Sequence, residues 1–283
     1  MLHDAARKGD NATVNTLVET LGIHKDSRDE GGYTALHYAV IFKQRDTVLL
    51  LLDLSADTEA KATDDRTPLH LVVDNGHIDT LQLLLDRGAE IEAKGSTGWT
   101  PLHRAAWKGH PDTLQLLLDR GADIEAKGSS GRTPLLMATL KGHTDTLRLL
   151  LDRGAEIEAK GSSSWTPLHL AACNGHTETL QLLLGRGADI GAKATDDWTP
   201  LHLAVYNGHM DPLKLLLERG GDIAPEDREG RTAGQLAVQK RYEHIARLLL
   251  DRETADAGER NEPELTGLIH ISSREEPPRG LVA

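Results

Sequence analysis

Apolar residues recur along this chain in paired blocks. Leu69, Val72 and Val73 stand at i, i+3 and i+4, and beyond Gly76 the same spacing returns as Ile78, Leu81, Leu84 and Leu85. Such spacing gives a helix one buried stripe. Thr67 before Pro68 reads as an N-cap followed by the favoured first helical residue, and Gly76 as a left-handed stop. A short helix is therefore predicted from Thr67 to Asn75, and a second from about His77 to Arg87, before Gly88. Helices this short are marginal alone, so each pair must bury its stripe on neighbouring pairs. The pattern predicts a stack.

The blocks repeat without insertion or deletion. Threonine stands at Thr34, Thr67, Thr100, Thr133, Thr166, Thr199 and Thr232, each 33 residues after the last. The fullest unit reads Thr67-Pro68-Leu69-His70, Asn75-Gly76-His77, Thr80-Leu81-Gln82-Leu83-Leu84-Leu85-Asp86-Arg87-Gly88-Ala89 and Ile91-Glu92-Ala93-Lys94, with near copies from Thr100, Thr133, Thr166 and Thr199. Period and signature together resemble the ankyrin-repeat family over about residues 2–252. The resemblance implies an all-α solenoid of paired antiparallel helices with projecting β-hairpin-like finger loops, around Gly95–Trp99 and Gly128–Arg132, on its concave side. Small residues such as Ala105, Ala106, Ala171 and Ala172 line the first helices while leucine runs fill the second, which predicts a bend toward the first helices and a groove rather than a pocket.

The ends depart from the pattern, as ends that meet water should. Leu2-His3-Asp4-Ala5-Ala6 with Gly9 reads as a degenerate first unit, and Thr232-Ala233-Gly234-Gln235 as a polar last one, giving about eight units in residues 1–252. Residues 253–283 carry seven acids against three bases and are rich in Glu, Pro, Gly and Ser, so an acidic, disordered tail is expected, with Leu268, Ile269 and Ile271 as its only candidate linear motif.

Composition sharpens the picture. Nine aromatics, 3% of the chain, leave the packing to small and aliphatic side chains. With 32 basic against 44 acidic residues the net charge is −12, which argues against nucleic-acid binding and suggests a basic or neutral protein partner. The single Cys173 excludes an intrachain disulfide and fits a reducing compartment. Met1 to Asp10 lack a signal-peptide stretch, and no apolar run is long enough to span a bilayer. A soluble monomer in the cytoplasm or nucleus, without membrane contact, is expected.

Fourteen histidines invite a metal hypothesis, but ten occupy two repeating positions: His37, His70, His103, His169 and His202, then His77, His110, His143, His176 and His209. Copies one helix layer apart cannot readily share a centre about 2 Å from each ligand. In the family the signature histidine bonds the loop and the capping threonine; Leu136 replaces it in one unit. The finger serines Ser129, Ser130, Ser162, Ser163 and Ser164 miss the nucleophile-elbow pattern, and Cys173 has no thiolate-stabilising context. No catalytic residue, metal or cofactor is expected. The Asp86-Arg87, Asp119-Arg120 and Asp152-Arg153 pairs read as a solvated outer ridge. Asp64, Asp65, Asp196 and Asp197 replace finger Gly and Ser, either as turn formers or to attract a basic partner.

Candidate recognition residues emerge from comparing units position by position, because packing demands uniformity. Seven and eight residues after each threonine the pairs read Ile41-Phe42, Asp74-Asn75, Trp107-Lys108, Leu140-Lys141, Cys173-Asn174, Tyr206-Asn207 and Gln239-Lys240. Just before the threonine stand Tyr33, Arg66, Trp99, Arg132, Trp165, Trp198 and Arg231. Eight of the nine aromatics fall in these positions or at Tyr38. Aromatics and Arg are the usual interface anchors. The expected partner-binding set is Ile41, Phe42, Asp74, Trp99, Trp107, Lys108, Leu140, Lys141, Trp165, Cys173, Trp198 and Tyr206, with the three finger tryptophans open to a purely packing role between fingers. The function expected is a non-catalytic scaffold or adapter recognising a protein on its concave face. The alternative is an enzyme accessory or small-molecule binder using the same groove.

Overall fold

A computed structural model describes residues 1–258, which are helical with connecting turns and contain no strand. They divide into two compact units, one of residues 1–155 and one from residue 156 onward. In the first unit the helices are α1 (Leu2–Lys8), α2 (Asn11–Asn15, continued by a π-helical turn Thr16–Thr20), α3 (Ala35–Ile41), α4 (Arg45–Asp53), α5 (Pro68–Asp74), α6 (Ile78–Asp86), α7 (Pro101–Lys108), α8 (Pro111–Asp119), α9 (Pro134–Lys141) and α10 (Thr144–Asp152). The second unit holds α11 (Pro167–Cys173), α12 (Thr177–Gly185), α13 (Pro200–Tyr206), α14 (Met210–Glu218), α15 (Ala233–Gln239) and α16 (Glu243–Gly258). Helix α16 runs beyond Arg252, where the sequence pattern was expected to end. Of the tail, only the residues up to Gly258 are among those described, so its expected disorder and Leu268, Ile269 and Ile271 lie outside them.

The signature threonines cap their helices, most of them through a reciprocal box. Thr34, Thr67 and Thr100 in the first unit, and Thr166 and Thr199 in the second, engage the backbone of the histidine three residues on, and that histidine's ring reaches back to the threonine. At Thr133 the box is incomplete: the hydroxyl accepts from Leu136 N–H at 3.4 Å, but leucine cannot return the bond. Gln235 restores it in the last repeat, its Oε1 accepting from Thr232 N–H at 2.9 Å.

The second recurring position bonds one repeat to the next at several of its copies, although neither ring nitrogen of His77 has a hydrogen-bond partner among the described residues. Within the first unit His110 Nε2 lies 3.3 Å from the Asp74 carbonyl oxygen and His143 Nε2 lies 3.0 Å from that of Trp107. Gln44 fills the position earlier, donating to the Arg7 carbonyl at 3.2 Å, and His209 in the second unit reaches the Cys173 carbonyl at 3.0 Å. The core is aliphatic, as composition required: Leu69, Leu81, Leu84, Leu102, Leu114, Leu117, Ala105 and Ala106 are fully buried.

The fingers are hairpin-like turns. Gly95 N–H donates to the Trp99 carbonyl at 3.1 Å, and Ser129 N–H bonds the Thr97 carbonyl of the preceding finger at 3.1 Å. Two residues before each threonine the backbone is left-handed, at Gly32, Asp65, Gly98, Gly131, Ser164, Asp197 and Gly230. Asp and Ser tolerate that conformation better than most side chains. This accounts for Asp65 and Asp197 as turn formers. Asp64 bonds Arg66 and Asp196 lies 3.4 Å from Arg228, so neither stands as an open invitation to a cation.

Candidate functional site

The finger bases and first-helix ends of the first unit form one connected surface. Arg66 donates to the Tyr33 hydroxyl at 3.0 Å, to Asp64, and to Asp74 at 3.4 Å. Arg104 grips Asp74 with two parallel bonds, its Nε 2.6 Å from Oδ1 and its Nη2 on Oδ2. Arg66, Arg104, Asp64, His70, the Gly95–Thr97 backbone and Trp99 line a cavity of about 180 Å³. That is below the 300–1,000 Å³ range of pockets that enclose whole small molecules, and suits a single side chain. On its far side the Trp99 and Trp107 rings lie 5.2 Å apart at 53°, and the Lys141 ammonium sits 3.8 Å from the Trp107 ring centroid. At the other end Tyr33, Tyr38 and Phe42 succeed one another at 6.1 and 6.4 Å.

The second unit repeats one part of this arrangement. Trp198 meets Tyr206 edge-on at 5.0 Å, and the Lys240 ammonium lies 3.6 Å from the Tyr206 ring centroid. Trp165 stacks on His169 at 6.5 Å.

Of the expected recognition residues, Phe42, Lys108 and Lys141 are exposed, and Ile41, Asp74, Trp99, Trp107, Leu140, Trp165 and Tyr206 are partly so. Two are corrected. Cys173 is only 6% exposed: it closes α11, and burial pushes its thiol up to about 11, so it is packing rather than surface. Trp198 is 5% exposed because its ring fills the space beside Tyr206 and His202 of α13, the helix that follows it. Asp74 is held by two arginines and organises the surface from within. Arg104, at the fourth residue after its threonine, was missed. Its signal was present, since that position reads Tyr38, Leu71, Arg104, Met137, Leu170, Leu203 and Leu236, and a lone Arg among apolar residues marks exposure.

The histidines of this face are structural. Thr67 N–H donates to His70 Nδ1 at 3.2 Å, which makes Nδ1 an acceptor and puts the ring proton on Nε2, where it bonds the Trp99 carbonyl at 3.1 Å. Desolvation lowers the pKa values of His70, His103 and His202, and takes those of His37 and His169 down to about 4, so all stay neutral. Among the described residues no cluster of His, Cys, Asp and Glu is arranged to hold a metal, and no helix is long and apolar enough to cross a membrane. At Asp64 burial opposes ionisation, yet the bonds from Arg66 hold its carboxyl below the usual range.

Capped helix pairs and fingers tied to one another over a uniform core define a helical-repeat protein. The family model for ankyrin repeats (three copies) matches residues 1–64, 54–128, 125–194 and 187–261. The chain belongs to the ankyrin-repeat family. Ankyrin repeats are in general protein-interaction modules without catalysis of their own. No curated protein matches the chain.

Proposed function

We propose that this protein is a non-catalytic scaffold that recognises a protein partner through the finger bases and first-helix ends of its repeats. The observation that carries the reading is the contrast between positions. The capping threonines and buried leucines barely change from unit to unit, whereas the position of Trp107 holds Ile, Asp, Trp, Leu, Cys, Tyr and Gln in turn. Packing cannot require such variety, and the partly exposed Trp107 and Tyr206 are anchors of the kind that dominate interface energies. The cavity beside Trp99 has room for one side chain, which favours a protein partner there over a whole small molecule. Trp107→Ala, Leu140→Ala and Tyr206→Ala combined should abolish capture of partners from a native extract while the variant remains folded. A folded triple variant that still captures every protein the native chain does would refute the reading.

A further inference from the structure

The inner face of the first unit runs against the charge of the whole chain. The protein carries −12 overall, yet on this surface Asp64 and Asp74 are engaged by Arg66 and Arg104, and Asp29 accepts from the Tyr38 hydroxyl at 2.7 Å. Around Trp107, three cations have no carboxylate partner among the described residues. Lys108 and Lys141, exposed, end α7 and α9, and the partly exposed Arg132 stands at the next finger base after Trp99. The acids gather elsewhere: Asp53, Asp86 and Asp119 of the second helices pair with Arg87, Arg120 and Arg153 of the following repeat.

Folding does not ask for lysine at these helix ends. In α5, α11 and α13 the position is held by Asn75, Asn174 and Asn207, whose amides donate to the carbonyl four residues back at 2.9, 2.8 and 2.9 Å. A cation at a helix C-terminus gains about 0.3–1 kcal/mol, which rationalises positive charge but not its placement on a tryptophan. Lys141 over Trp107 is an ammonium held beside an apolar surface, so a carboxylate meeting it finds its partner already oriented.

We propose that the surface around Trp107 binds an acidic polypeptide segment bearing one aromatic or long aliphatic anchor. Its carboxylates meet Lys108, Arg132 and Lys141, and the anchor enters the cavity beside Trp99. The inference rests on the protein-binding reading and names the partner's chemistry; the basic partner suggested by net charge is opposite to what this surface complements. A nucleic acid fits less well, since few phosphates would be neutralised while the rest of the chain repels them.

The test selects a displayed library of random peptides on the full-length protein and discards binders retained by Trp107→Ala. The remaining peptides should be net acidic with an aromatic or leucine. Their affinity should fall by about tenfold or more in Lys108→Glu/Lys141→Glu and weaken with salt. Arg45→Glu/Arg148→Glu, exposed on second helices α4 and α10, makes the same change of net charge and should alter affinity by less than about twofold. Circular dichroism melts establish that all variants are folded. Trp107-dependent peptides that are basic or neutral, or equal losses in the two double variants, would overturn the proposal while leaving protein binding intact. Absence of any Trp107-dependent peptide would overturn both. An oligothymidylate that binds through Lys108 and Lys141, where acidic peptides do not, would reassign the surface to nucleic acid.

Discussion

Two glycines that look interchangeable in the sequence should respond very differently to one added methyl group. Gly109 closes α7 with φ +69°, and Gly121 follows α8 with φ +87°. Alanine at either site takes on a left-handed backbone, a strain of roughly 1–2 kcal/mol, part of which is offset by a less flexible unfolded chain. At Gly121 the new Cβ meets nothing within 4 Å, so a net loss of about 1 kcal/mol is expected. At Gly109 it would lie 2.6–2.8 Å from three atoms of the His143 ring. The ring must swing away and give up its 3.0 Å bond to the Trp107 carbonyl. Overpacking adds about 1–3 kcal/mol and the lost bond about 1, for a total of about 3 kcal/mol or more. Urea unfolding followed by far-ultraviolet circular dichroism would measure both variants, with the cycle repeated in a His143→Ala background. There Gly109→Ala should cost only about as much as Gly121→Ala, a coupling of about 2 kcal/mol or more. Equal costs for the two glycines, or strict additivity with His143→Ala, would refute the reasoning. The glutamates of the adjacent loops would be a poor reference, because Glu59 and Glu92 accept backbone bonds from Glu90 and Asp123 of the next repeat at 2.8 and 2.9 Å.

Stability should be pH-dependent through the buried signature histidines. Folded values below the ordinary 6.5 mean that the unfolded chain binds more protons, so the stabilisation is complete above pH 6.5 and is lost as pH falls toward about 4. His37 and His169 each contribute up to roughly 3 kcal/mol to that loss, and replacing both with Gln, which makes the same box at Gln235, should flatten the dependence of urea midpoints between pH 7 and 5. Trp198→Ala should lower stability by about 3–5 kcal/mol, whereas Trp165→Ala, partly exposed, should cost distinctly less; similar melts for both would contradict their different burial. Asp74→Ala and Arg104→Ala should couple by about 1 kcal/mol in a double-mutant cycle, and additive losses would mean that their paired bonds contribute nothing.

Within the full repeats the sequence by itself determined the helices and their boundaries to within a residue or two, though not the end of α16. A threonine cap, a proline at the first turn, a left-handed stop and apolar spacing are local signals, and they act through bonds between near neighbours in the chain. The family resemblance implied that the signature histidines are structural, and their recurrence one helix layer apart argued against a shared metal centre. What the sequence could not tell was which variable side chains remain accessible. Cys173 and Trp107 occupy the same position in their repeats, yet one is buried and the other partly exposed, because burial depends on neighbouring repeats: Asn207 lies over the Cys173 sulfur at 3.5 Å, whereas Lys141 lies over Trp107 with its ammonium toward solvent-accessible surface. Nor could it pair Arg104 with Asp74, 30 positions apart, and so show that this carboxylate is held by arginine while Lys108 and Lys141 have no carboxylate partner among the described residues. Charge counted along a chain is a sum, and only the tertiary structure sorts it onto faces, because helices a full repeat apart in sequence are stacked side by side in space.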